Sequence, residues 1–286
     1  MRSRSGYPQL IINADDFGLT NAINAEIIRC IKEGIVTSTS LIAGGRAADE
    51  AIKLAQNFDQ CTGLGVHLTL DSEAPVSNPA DIPTIVSKNG RLLSRAHIMA
   101  RLCTGQSKIK DVYHEWSAQI GKIFDAGLKP DHIDSHGHIH CFPFLVSLVI
   151  NIAKHFGISA IRLPAAPRRL SLSLNRVPGL ISLHLAAKFA RIKFRSVLRH
   201  PDFMTGFSFG GRYDEKIFLK DIGSLRNNDI AEAMFHPGPG SIDVPDYNSW
   251  DYNWAADSAT LRSTHIKDFI SEKGVKLITF KELPQV

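Results

Sequence analysis

The chain has 286 residues, a formal net charge of +5, 44% hydrophobic residues and 21% charged residues. That balance excludes a disordered or collagen-like chain and supplies enough apolar material for a sizeable core. Four cysteines (Cys30, Cys61, Cys103 and Cys141) stand far apart with no CxxC pair, which argues against a zinc cluster or redox motif and for reduced thiols in a cytoplasmic setting.

Short apolar runs alternate with helix-length amphipathic stretches, the pattern of βα units around a parallel sheet. The length suits one domain, residues 1–286, with loop insertions, because α/β barrels reach this size as single units. Before the first strand there are two arginines but no apolar run of signal-peptide length, and no segment is long enough to cross a bilayer. The expectation is a protein that is neither exported nor membrane-spanning.

In chain order, the pattern predicts a strand at 10–13, then a helix at 21–33 with Ile23, Ile27, Cys30 and Ile31 on one face and Gly34 as its stop. A strand at 35–42, a helix at 47–58 and a strand at 64–70 follow. Residues 75–91, rich in Pro, Ser and Asn, read as a long loop. Helices at 94–104 and 108–126, a strand at 131–135, a helix at 144–156 and a strand at 159–163 come next. The last predicted elements are a strand at 230–235, a helix at 259–273 and a strand at 275–280.

Active groups in parallel α/β folds gather at the carboxyl ends of strands, and the unusual polar residues of this chain fall there. Asp15 and Asp16 end the first strand. They fit either a solvated turn with one Asp capping the next helix, or a pair dividing metal binding from water activation, since neighbours in an extended chain face opposite ways. His67, inside an apolar strand, fits a satisfied core histidine or a ligand. His132, Asp134, His136, His138 and His140 alternate, so an extended chain would aim all five to one side. Packing such groups among apolar neighbours is costly, which favours a rim or metal site over a core, with an exposed metal-scavenging loop as the alternative. A mixed His and Asp set suits zinc, iron, manganese or magnesium without selecting among them. His236 is either a general acid or an ordinary strand-to-loop residue; Arg162 either holds a carboxylate such as Asp15 or lies on the surface.

Between Asp134 and Asp202 there is no acidic residue, while eight basic ones (Arg168, Arg169, Arg176, Lys188, Arg191, Lys193, Arg195 and Arg199) fall in 168–199. Lys188, Arg191, Arg195 and Arg199 recur at helical spacing, with Leu185, Phe189 and Ile192 on another face. This basic amphipathic insertion, at about 168–200, suits an anionic membrane surface or a solvated packing helix. Nucleic acid is not expected, because a phosphate-binding patch leaves the other motifs unexplained.

Together, NADDFG at 13–18, GIVTSTS at 34–40, GVHLTL at 65–70, HIDSHGHIH at 132–140 and MFHPG at 234–238 resemble the YdjC-like carbohydrate deacetylases. The resemblance implies an α/β fold, a distorted (β/α) barrel of the glycoside hydrolase/deacetylase type, and metal-dependent removal of the acetyl group from an N-acetylhexosamine. By position it implies metal ligation by Asp16, His67 and His136, with a divalent ion, magnesium or zinc, as cofactor. It further implies Asp15 as catalytic base, His236 as general acid and Arg162 as the residue orienting the base. Asp134, His138 and His140 match the motif and are expected at the substrate; His132 matches without a defined duty. The basic segment departs from members that process short oligosaccharides. The expected substrate is therefore a lipid-linked sugar, such as a polyprenyl-phosphate sugar or a lipid A-type or hopanoid glycolipid, met at the inner face of the cytoplasmic membrane. A soluble chito-oligosaccharide deacetylase and a non-catalytic sugar- or metal-binding barrel are the alternatives.

Overall fold

The computed structural model describes residues 6–71, 74–165, 177–206, 213–240, 247, 250 and 252–286, with side chains described from 182 onward in the stretch that begins at 177. The strands are β1 (Gln9–Phe17), β2 (Ser38–Leu41), β3 (Gly63–Leu68), β4 (His132–Ser135), β5 (Ala160–Ile161), β6 (Phe203–Thr205), β7 (Ile230–Phe235) and β8 (Lys276–Leu277). All pair in parallel, in the order β5-β4-β3-β2-β1-β7-β6, with β8 added to the start of β1. The two edges of this sheet are joined by residues 199–205. Ala160 bridges Arg199, the Met204 N–H donates to the Ala165 carbonyl at 2.8 Å, and β6 pairs with β7. The result is the expected α/β class, a parallel sheet curled into a distorted barrel.

Around it lie α1 (Asn21–Glu33), α2 (Ala48–Ala55), α3 (Arg95–Cys103), α4 (Ile109–Asp125), α5 (Pro143–Phe156), α6 (Val177–Phe194), α7 (Glu215–Gly223), α8 (Trp254–Leu261) and α9 (Thr264–Glu272). Local chemistry sets their ends. Thr20 caps α1 by accepting from the Ile23 N–H, and Pro143 and the left-handed Gly157 bracket α5.

Strand alternation decides what the barrel encloses. On β1, Leu10, Ile12 and Ala14 join the large helix-facing core, while Ile11 joins a second cluster with Ile230, Ile278, Phe280 and Leu283. That second cluster closes the amino end of the barrel. Further along the inward faces come Asn13 and Asp15 on β1, His67 on β3, Asp134 on β4 and Glu232 on β7, every one buried. The carboxyl end of the barrel is therefore polar and ionic where its floor is apolar.

The structure corrects several expectations. The helix predicted at 259–273 is two helices, because Ser263 caps α9 by accepting from the Ile266 N–H and breaks the run. The last strand is only Lys276–Leu277, followed by a 3-10 turn at Phe280–Glu282. The alternating histidine run stays extended through Ser135 and then turns, with Gly137 at φ 62° and His138 at φ 58°. Arg199 does not share a basic helix face: it is buried at the barrel seam, donating to the Lys281 and Leu283 carbonyls and to Ser159 Oγ. Arg168, Arg169 and Arg176 lie outside the described residues.

Gly65 and His132 are register partners, and a Cβ on Gly65 would run into the imidazole of His132. That ring is stacked on Phe280 with centroids 3.7 Å apart and has nowhere to retreat. Gly65→Ala is expected to lower stability by about 1–3 kcal/mol in urea unfolding, as overpacking does; an unchanged midpoint would show that the floor of the barrel can yield.

Candidate active site

The site begins with an irregularity in β1. Its register with β2 slips between Ala14 and Phe17, and Asp16 takes a left-handed conformation, φ 68°. In a regular strand Asp15 and Asp16 would point to opposite faces; the bulge brings both carboxylates to the carboxyl-end interior. A left-handed backbone is uncommon for a residue with a Cβ, Asp being one of the more tolerant. The turn beyond it is fixed by the Gly18 N–H donating to Asn24 Oδ1 at 2.7 Å.

Asp16 Oδ1 lies 3.6 Å from His67 Nε2 and 3.7 Å from His136 Nδ1, too far for good hydrogen bonds. Both Asp16 oxygens are buried without a hydrogen-bond partner among the described residues. One ligand atom from each of Asp16, His67 and His136 lies within 4.8 Å of the others. A buried carboxylate with two unmet oxygens beside two imidazole nitrogens is a donor set that fits a divalent cation. His67 is held from behind, its Nδ1 2.9 Å from Asp134 Oδ1, the carboxylate–histidine pairing that would leave the other ring nitrogen for a metal. Asp15, His67 and Asp134 form a second grouping of the same size. Its carboxylates already bind Arg162, whose charge would repel a cation, so the Asp16 set is the better cation site.

Arg162, fully buried, makes a two-pronged pair with Asp15, Nη1 to Oδ2 and Nη2 to Oδ1 at 2.6 Å each. It also meets Asp134 Oδ2 at 2.8 Å and Glu232 Oε1 at 2.7 Å. Burial pushes the Asp15 carboxyl up, but Arg162 outweighs it and holds the pKa at about 2. Asp134 is likewise held well below the usual carboxylate range, whereas burial dominates at Glu232 and raises it.

His236 follows β7, and α8 clamps its backbone. The His236 N–H donates to Asp257 Oδ2 at 2.9 Å, the Gly238 N–H donates to Ser258 Oγ at 2.9 Å, and that hydroxyl donates to the Gly238 carbonyl. Burial lowers the His236 pKa, with Asp16 and Asp15 opposing. Trp250 and Tyr252, both partly exposed, line this side, their ring centroids 4.8 Å from His136 and 4.5 Å from His236.

Asp15, Asp16, His67, His136, Arg162 and His236 thus come together at one end of the barrel. Asp134 and His140, expected at the substrate, are buried and bound to protein partners. Asp134 is committed to His67, Arg162 and the Ser40 hydroxyl, and His140 to Ser135 Oγ at 2.6 Å and the Arg162 carbonyl at 3.0 Å. His138 is buried with Nδ1 unpartnered among the described residues. His132 belongs to the barrel floor, bonded to Asp131 at 2.6 Å. Sequence reasoning missed Glu232, Asp257, Trp250 and Tyr252. The acidic residue within IAEAMF and the aromatic run WDYNW were the signals available.

The sequence model of the family described as YdjC-like protein matches residues 9–272. The chain is 29% identical over 275 residues to a carbohydrate deacetylase of Clostridium beijerinckii, covering 96% of this chain and 100% of that one. It is 28% identical over 278 residues to a chitooligosaccharide deacetylase of Proteus mirabilis, covering 96% and 98%. A crystal structure from Enterococcus faecalis V583, of a protein named for cellobiose-phosphate cleavage, superposes with a TM-score of 0.78 at 25% identity, covering 98% of this chain and 100% of that one.

Burial disfavours the charged form of His67, but Asp134, Asp15 and Asp16 outweigh it and lift the pKa to about 9. A proton on this ring and a cation at Nε2 therefore compete for the same nitrogen. Affinity for zinc or magnesium is expected to rise as pH increases toward that value, with about one proton released per ion. Calorimetry in buffers of differing ionisation enthalpy reads this number directly, and zero release would separate His67 from the ligand set.

Proposed function

This chain belongs to the YdjC-like protein family, and on that premise we propose that it is a carbohydrate N-deacetylase, a hydrolase of the acetamide C–N bond in an N-acetylhexosamine, built as one catalytic domain. The observation that carries the reading is the placement of an Arg162-bound Asp15 beside the Asp16, His67 and His136 set, with His236 on the same rim. A divalent cation held by Asp16, His67 and His136, magnesium or zinc, would supply Lewis-acid polarisation of the acetamide carbonyl and acidification of the attacking water. Asp15, kept ionised by Arg162, accepts the proton of that water at a carboxylate oxygen. His236, its backbone fixed by Asp257, passes the proton that Asp15 takes from the water on to the departing amine nitrogen. Trp250 and Tyr252 offer apolar faces to the sugar, and His138 a polar contact.

For the finer substrate class, a lipid-linked N-acetylhexosamine, the support is α6. Its buried face, Ala186, Ala187, Ala190 and Phe194, packs toward α5 and the histidine turn His136–Cys141. Its other face exposes Leu185 (60%), Phe189 (37%) and Ile192 (61%), with Lys188, Lys193 and Arg195 exposed beside them. Large apolar side chains in solvent next to cations suit the boundary of an anionic bilayer, and no described helix is long and apolar enough to cross one.

Asp15→Asn is expected to abolish acetate release while metal content stays near wild type; loss of the metal in that variant would exchange the roles of the two aspartates. With metal-reconstituted enzyme, acetate release is expected from a lipid-phosphate-linked N-acetylhexosamine in preference to chitobiose. Sedimentation with anionic liposomes should be lost in Leu185→Ser/Ile192→Ser. Release from chitobiose alone, without liposome binding, would keep the chemistry and place the substrate among soluble chito-oligosaccharides.

A further inference from the structure

Glu232 is the carboxylate that the reaction above does not use. It occupies an inward position of β7, in register with Ile11 of β1 and Met204 of β6, and has no solvent exposure. Its Oε1 receives Arg162 Nε and Nη2, both at 2.7 Å. Oε2 has no hydrogen-bond partner among the described residues. Burying an acid beside two others that already bind the same guanidinium is unfavourable by itself, so a purely stabilising role explains the residue poorly.

The geometry supplies another role. Asp15 takes the two terminal nitrogens of Arg162, and Asp134 shares Nη1. These contacts fix the outer end of the guanidinium and leave its inner edge, at Nε, to be set by something else. A planar fork that can tilt about its stem carries a bidentate partner with it. Glu232 grips that inner edge from β7, the strand paired with β1, so Asp15 and Glu232 hold one rigid plane from two adjacent strands. We propose that Glu232 is a positioning residue: by fixing the plane of the Arg162 guanidinium it fixes the Asp15 carboxylate, and with it the oxygen that accepts the proton. The inference rests on the reading of Asp15 as base. It adds that the alignment of that base is controlled from the neighbouring strand, through one arginine.

The test compares metal-loaded Glu232→Gln, Glu232→Asp and Glu232→Met with wild type for acetate release, metal stoichiometry and thermal midpoint. Gln retains an acceptor for Nε, so kcat is expected to fall about tenfold; Met retains none, and a fall of about a hundredfold or more is expected, the scale of a small misplacement at a reacting centre. KM and metal content should stay at wild-type values in both. A kcat for Glu232→Met within twofold of wild type overturns the proposal, as does a loss in which KM and metal uptake deteriorate in step with kcat. If Met prevents folding, Gln and Asp carry the comparison.

A readout independent of turnover is the 13C resonance of the Asp15 carboxyl, assigned through Asp15→Asn, together with exchange of the Arg162 Nε–H. In Glu232→Gln the resonance should move and exchange should accelerate at least about tenfold. An unmoved resonance with unchanged protection overturns the proposal whether or not any sugar is turned over. Wild-type enzyme inactive on every N-acetylated sugar, with the NMR effects present, would instead count against the deacetylase reading alone.

Discussion

A guanidinium enclosed in the barrel has to answer three carboxylates at once. Arg162 meets Asp15, Asp134 and Glu232 within 2.8 Å, all of them buried. Removing one partner from such an arrangement typically costs about 3–5 kcal/mol, because the remaining charges cannot reach water. The arginine is therefore pinned, and its pinning propagates. Asp134 is held for His67, His67 turns Nε2 toward Asp16, and Asp15 is held at the rim. The order of the ionic upper half of the barrel descends from this one side chain.

Asp16 is the counterweight. Its left-handed backbone belongs to a class of strain worth about 1–3 kcal/mol, and its two buried oxygens add a desolvation penalty. A cation binding the folded state alone would relieve both by mass action. The apolar floor below, built from Ile11, Ile230, Ile278, Phe280 and Leu283, closes the barrel beneath this charge. The strained, polar end of the barrel and its apolar floor thus stand back to back.

Much of this was legible in the sequence where periodicity and end signals agreed. The span of α1 follows from Ile23, Ile27 and Cys30 on one face and Gly34 behind them, and β7 from an apolar run of strand length. The gathering of Asp15, Asp16, His67, His136 and His236 was legible through spacing at strand ends. Geometry that depends on a single dihedral was not. Nothing in DSHGHIH announces that the chain turns at Gly137 and His138 and withdraws His140 into Ser135 and the Arg162 carbonyl. Glu232 reads as a polar interruption until its cross-barrel partner is known. β6, three residues long, is too short for alternation to register, and its pairing depends on strands distant in the chain. Arg199 shared the helical spacing of its neighbours, yet α6 ends at Phe194 and the next turn carries Arg199 into the seam.

The pairing of β1 has a consequence in time. On one side its register partner is β7, which begins at residue 230; on the other are β2 and, at the start of β1, β8. At ribosomal speeds of about 5–20 residues per second, roughly 10–45 seconds separate emergence of the first strand from that of β7. Throughout that interval the nascent chain presents one unpaired, apolar edge of β1, and the acidic pair at its end has neither Arg162 nor β7 to settle against until late. Barrel closure is consequently a late event of biosynthesis, and loop closure over so long a span makes it slow. An unpaired strand edge is a template for pairing with other chains, so the long wait for β7 is the interval in which this chain is most open to it.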